Sequence, residues 1–115
     1  MSKRSPITTH ILDVSIGKPA ANVACTLEKL NSQSEWEKIG TGMTNQDGRL
    51  ENLISSPLSL GVYRLEFKTK SYFEQRKISS FYPSVTVQFE ITSTDEHYHV
   101  PLLLSPYGYS TYRGS

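Results

Sequence analysis

A single cysteine, Cys25, stands in 115 residues. The chain can form no internal disulfide and no cluster of thiolate metal ligands, so a reducing compartment is its simplest setting. No apolar run approaches the roughly 18 residues that a membrane span needs. An excess of one charge is missing too, since 12 basic side chains face 11 acidic ones for a net +1. That balance leaves no electrostatic footprint for nucleic acid or an anionic membrane. Met1-Ser2-Lys3-Arg4-Ser5-Pro6 is basic, but no apolar stretch follows, so a secretory signal is not expected. Nor is the last tripeptide a Ser-Lys-Leu address. The expected location is cytoplasmic or peroxisomal rather than secreted. Repeats, low-complexity tracts and linkers are absent, and a chain of 115 residues has room for one domain with one core. Residues 1–6 read as a flexible lead into it. A chain this short leaves much surface exposed, so burial through self-association would suit it.

What is present is alternation of period two. In Ser84-Val85-Thr86-Val87-Gln88-Phe89-Glu90-Ile91-Thr92, apolar and polar residues take turns, which predicts a half-buried strand with Val85, Val87, Phe89 and Ile91 inward. Val62 to Lys68 repeats the pattern with Tyr63, Leu65 and Phe67 inside. Val23, Cys25 and Leu27 mark another strand, Ile7 to Leu12 another, and Trp36 to Met43 a weaker one containing Gly40 and Gly42. Turn residues separate the runs at Gly17-Lys18-Pro19, Asn31 to Ser34, Asn45-Gln46-Asp47-Gly48 and Ser105 to Gly108. One short helix is predicted around Ser71 to Lys77, with Ser71 as N-cap and Glu74 three residues on. Many strands, regular turns and little helix predict an all-β fold, an antiparallel β-sandwich.

Few groups in the chain can do chemistry. His97 and His99 lie two apart on one strand and so share a face, while Tyr98, Val100, Leu102 and Leu104 take the other. His10 shares a face with Thr8 and Leu12. Arg49 follows a turn, where a loop can aim a side chain into a cleft or leave it in solvent. His97 and His99 could equally be metal ligands, although no carboxylate or cysteine is evidently placed to complete a zinc site. Cys25, on an apolar strand face, reads as buried filler, and neither Ser105 nor Ser110 sits in a nucleophile elbow. The last seven residues, Tyr109-Ser110-Thr111-Tyr112-Arg113-Gly114-Ser115, combine aromatic, hydroxyl and guanidinium groups. They read either as a last sheet strand or as an end folded back for use.

Four segments together carry a family pattern: Thr8-Thr9-His10-Ile11-Leu12-Asp13, Gly17-Lys18-Pro19-Ala20, Thr44-Asn45-Gln46-Asp47-Gly48-Arg49, and His97 through Ser115. They resemble the transthyretin-like 5-hydroxyisourate hydrolases over about Ile7 to Ser115. The terminal Tyr112-Arg113-Gly114-Ser115 is the most specific part, because it separates the hydrolases from the hormone carrier transthyretin. The resemblance implies a sandwich of two four-stranded sheets with one short helix, assembled as a dimer of dimers with sites between subunits. It implies that 5-hydroxyisourate is opened by water to 2-oxo-4-hydroxy-4-carboxy-5-ureidoimidazoline in urate breakdown, with no metal or cofactor. It also implies catalytic roles for His10, Arg49 and His99, and a pocket lined by Tyr112, Arg113, Gly114 and Ser115. An imidazole near neutrality suits deprotonation of water, and a guanidinium suits the developing oxyanion. A non-catalytic carrier of a small aromatic ligand, and a zinc hydrolase built on His97 and His99, are the rival readings.

Overall fold

Alternating residues become strands because they can bury one face and solvate the other. In the computed structural model, which describes residues 6–54 and 56–115, this gives β1 (Ile7–Asp13), β2 (Lys18–Pro19), β3 (Ala24–Leu30), β4 (Trp36–Met43) and β5 (Arg49–Leu50). They are followed by β6 (Gly61–Phe67), the helix α1 (Thr69–Gln75), β7 (Val85–Ile91), β8 (Tyr98–Ser105) and β9 (Gly108–Thr111). Apart from Pro6, the expected lead lies outside the described residues.

Two sheets form, one ordered β2-β1-β8-β9 with β5 also on β1, the other β4-β3-β6-β7. The expected two-sheet sandwich with one helix is present, with two differences in detail. The first sheet has five strands rather than four, because the two-residue strands β2 and β5 pair with different halves of β1. Its central pairing, β1 with β8, is parallel, while every other named pair is antiparallel. A parallel neighbour needs a long crossover, and alternation within a strand carries no information about direction.

The core lies between the sheets. Ile7, Ile11, Cys25, Leu27, Leu65, Phe67 and Leu102 are wholly buried there, with Tyr63, Val85, Ile91 and Leu104 nearly so. Phe89, expected inside, is half-buried and stacks on Tyr63 with centroids 6.0 Å apart.

The helix begins three residues earlier than predicted, with Lys68 rather than Ser71 at its N-cap and no side-chain capping bond. Docking determines its position. Thr69, Tyr72 and Phe73 form its buried stripe, and the Tyr72 hydroxyl donates to Asp13 Oδ2 at 2.8 Å. Arg76 Nη1 reaches the same oxygen at 2.9 Å, while Ser15 donates N–H and hydroxyl to Asp13 Oδ1 at 3.0 and 2.5 Å. The fully buried Asp13 carboxylate thereby ties α1 to the end of β1.

Candidate active site

Strand register decides which side chains meet. His10 stands opposite Arg49 across the β1–β5 pair, and opposite Pro101 across β1–β8. Thr8 stands opposite His99. Directly paired residues share a face, as do residues two apart on one strand. Thr8, His10, Arg49, His99 and Pro101 therefore all project from the outer face of the first sheet, away from the core. His10 and His99 are offset by one strand and two residues, a Cα separation of about 8 Å.

Arg49 owes its position to the preceding turn. Asn45 Oδ1 accepts the backbone N–H groups of Asp47 and Arg49 at 2.9 and 3.0 Å, and Gly48 N donates to Asn45 O at 2.9 Å. Gly48 has φ +74°, and its carbonyl accepts the Ile11 N–H at 2.8 Å. A Cβ there would run into the Ile11 carbonyl oxygen, so only glycine lets the turn approach β1 this closely. The result delivers an exposed guanidinium beside a half-buried His10.

The two later histidines converge on one hydroxyl. Thr8 Oγ1 lies 2.9 Å from His97 Nε2 and 2.8 Å from His99 Nδ1. Thr8 is fully buried while both histidines are half-buried. Among the described residues, no group of three or more His, Cys, Asp or Glu side chains is arranged to hold a metal.

The tail borders this face as the edge of the sheet, alongside β8. Thr111 Oγ1 donates to the Pro101 carbonyl at 2.7 Å. The N–H and C=O of one strand residue point to the same side, so Pro101 turns its missing N–H toward the tail as well. Pairing of β8 with β9 stops at Leu102–Thr111 and resumes in the same register at the isolated bridge between His99 and Gly114. Gly114 N donates to His99 O at 2.8 Å, and a Cβ on Gly114 would meet the His99 ring.

Of the residues predicted for the site, the structure brings His10, Arg49 and His99 together, with Gly114 against His99 and Tyr112 on the same face by alternation. Ser115 follows, exposed. Arg113 does not point there. Its guanidinium lies 4.4 Å from the Tyr98 ring centroid and donates to Glu96 Oε1 at 2.7 Å, on the other side of the tail. A separate cleft of about 260 Å³ opens between β7 and the tail; His99, Tyr112 and Arg113 border it, but His10 and Arg49 do not. On the histidine face of the single chain, His10, His97 and His99 are half-buried and Arg49 is exposed. Sequence reasoning missed the part Thr8 plays as the meeting point of His97 and His99; a hydroxyl residue sharing a face with His10 was the available sign.

Known proteins resemble this arrangement at two levels. The fold matches transthyretin from Sparus aurata with a TM-score of 0.89 at 36% identity, covering 96% of this chain and 97% of that one. It also matches the 5-hydroxyisourate hydrolase of Klebsiella pneumoniae, with TM-score 0.84, 35% identity and coverage of 95% and 98%. Fold alone does not separate carrier from enzyme. In sequence, 5-hydroxyisourate hydrolase of Salmonella typhimurium is 50% identical over 110 residues, which span 95% of this chain and 80% of that protein. The HIUase/Transthyretin family profile matches residues 7–114, from the first residue of β1 to the glycine that rests on His99, and the chain belongs to that family.

Proposed function

We propose that this protein is a hydrolase that opens the ring of 5-hydroxyisourate with water, giving 2-oxo-4-hydroxy-4-carboxy-5-ureidoimidazoline in urate degradation. The observation that carries the reading is the convergence of His10, Arg49, His99 and the penultimate residue Gly114 on one sheet face, in a chain half identical to such a hydrolase.

Each part suits the reaction. His10 and His99 activate water, since an imidazole exchanges a proton near neutral pH. Arg49 holds the substrate and the negative charge that develops on its carbonyl oxygen, using a permanent cation with several donors. Tyr112, Gly114 and Ser115 supply the edge of the pocket against which a planar, polar ring can be held. Arg113 serves the site by anchoring the tail to Glu96 and Tyr98. Adding water across an amide-like bond transfers no electrons and calls for no redox group. The exposure of Arg49 and Tyr112 supports closure of the face by another copy of the chain, in a homotetramer built as a dimer of dimers.

The test is decay of freshly generated 5-hydroxyisourate, followed by ultraviolet absorbance and corrected for spontaneous hydrolysis. The intact protein is compared with a form ending at Thr111. Fast decay with the intact chain, lost in a truncated form of unchanged circular dichroism, supports the enzyme and the tail's place in it. No acceleration by the intact protein overturns the reading. The close fold match to transthyretin would then favour a small-ligand carrier, checked by thyroxine titration.

A further inference from the structure

A threonine hydroxyl has one proton to donate and two lone pairs to accept with. Thr8 Oγ1 contacts ring nitrogens of two histidines, at 2.9 Å for His97 Nε2 and 2.8 Å for His99 Nδ1. It cannot donate to both, so at least one of these two nitrogens carries a hydrogen. The tautomers of His97 and His99 are thus linked through a side chain with no exposed surface, where water cannot readily replace the hydroxyl.

We propose that Thr8 is a positioning residue for the hydrolysis. It accepts a hydrogen bond from His99 Nδ1–H, donates its own proton to His97 Nε2, and so holds His99 in the tautomer with a lone pair on Nε2. This rests on the proposed hydrolase reading and deepens it. With Nδ1 committed to Thr8, His99 can take a proton from water only at Nε2. The opposite direction, Thr8 donating to His99 Nδ1, would place the ring's one proton on Nε2 and leave it nothing to accept with. In the proposed direction one proton moves: it leaves water for His99 Nε2, while Nδ1–H stays bonded to Thr8 and the imidazolium gains a fixed acceptor. His97 completes the arrangement by accepting the Thr8 proton, which keeps the hydroxyl oxygen turned toward His99. The register that pairs Thr8 with His99 on parallel strands brings all three side chains to one place.

Two variants and one spectroscopic measurement test this. Thr8→Val keeps the shape but removes the hydroxyl, whereas Thr8→Ser keeps it. We expect Thr8→Val to lower kcat about tenfold to a hundredfold, in the range seen when an orienting partner of a histidine is removed, with KM changed by less than about threefold. Thr8→Ser should recover most of the loss. Long-range nitrogen–proton correlation spectra of the unliganded protein should show neutral His99 protonated at Nδ1 in wild type, and a mixture of tautomers in Thr8→Val. Full turnover in folded Thr8→Val, or wild-type His99 protonated at Nε2, overturns the proposal. If Thr8→Val does not fold, the wild-type tautomer and Thr8→Ser turnover still decide. The spectrum needs no substrate, so absence of wild-type hydrolysis would count against the enzyme reading and leave the linkage judged on its own.

Discussion

Gly114 donates its backbone N–H to the carbonyl of His99 at 2.8 Å, and a Cβ in its place would stand 2.5 Å from Cδ2 of the His99 ring. The end of the chain therefore lies directly against a group proposed to activate water. Gly114→Ala should push the ring or lift the tail while leaving the core untouched. We expect at least a tenfold loss of kcat/KM with a melting temperature within a few degrees of wild type, since displacement by about 1 Å can cost 100-fold. Full activity in Gly114→Ala would show that the tail's contact with His99 does not matter to turnover.

Separate substitutions of His10, His99 and Arg49 distinguish base from charge stabiliser. Replacing either histidine by alanine should lower the rate by on the order of 10² to 10⁴ if it acts as a general base. Arg49→Ala should cost about 10² to 10³, as for loss of a group that stabilises an oxyanion. Arg49→Lys should fall between, because it keeps charge but loses the planar fork. Arg49 is exposed, so thermal denaturation should barely change. Retention of turnover in both folded histidine variants would remove them from the mechanism.

Alkaline pH should loosen the helix anchor. Burial, then the hydrogen bond and charge of Asp13, push the Tyr72 phenol from 10.0 up to about 12. An unfolded chain can ionise this phenol near pH 10, whereas the folded one resists until about 12. Its contribution to stability is therefore complete below pH 10 and is lost as pH rises toward 12. Urea midpoints measured from pH 9 to 12 should fall for wild type and fall less for Tyr72→Phe. At neutral pH that variant should be less stable by about 1–2 kcal/mol through the missing bond to Asp13. Identical slopes for the two proteins would contradict the assignment.

Cys25 should be inert. It is fully buried, and burial raises its thiol from 9.0 to about 12. Since the thiolate is the nucleophile, a chromogenic disulfide reagent at pH 8 should label the native protein only as fast as it opens, and label it at once in denaturant. Rapid labelling of native protein would mean that β3 is far more open than the structure shows.

Much of this was legible in the chain itself. Alternation marked Trp36 to Met43 without error and put Tyr63, Leu65 and Phe67 inside, because burial of one face is a property of neighbouring residues. The shared face of His97 and His99 followed from the same period. Alternation could not give the parallel pairing of β1 with β8, since strand direction depends on distant residues. The start of α1 was misplaced because a capping pattern at Ser71 competed with docking through Tyr72, Phe73 and Asp13, and docking prevailed. Arg113, predicted for the pocket with its three neighbours, turned aside because residues adjacent on an extended chain face opposite ways and Tyr98 with Glu96 offered it a partner. The junction at Thr8 depended on register between residues 91 apart, which no local pattern encodes.

That separation also has a kinetic meaning. The hairpin of β3 and β4 can close early, since its strands are joined by a short turn. The pairing of β1 with β8 must wait for a loop of some ninety residues to close, as the 91-residue separation of Thr8 and His99 requires, and long-range closures of this kind slow folding. The proposed site, which draws on both β1 and β8, can therefore assemble only after that closure, whereas the sheet of β4, β3, β6 and β7 can pair without it.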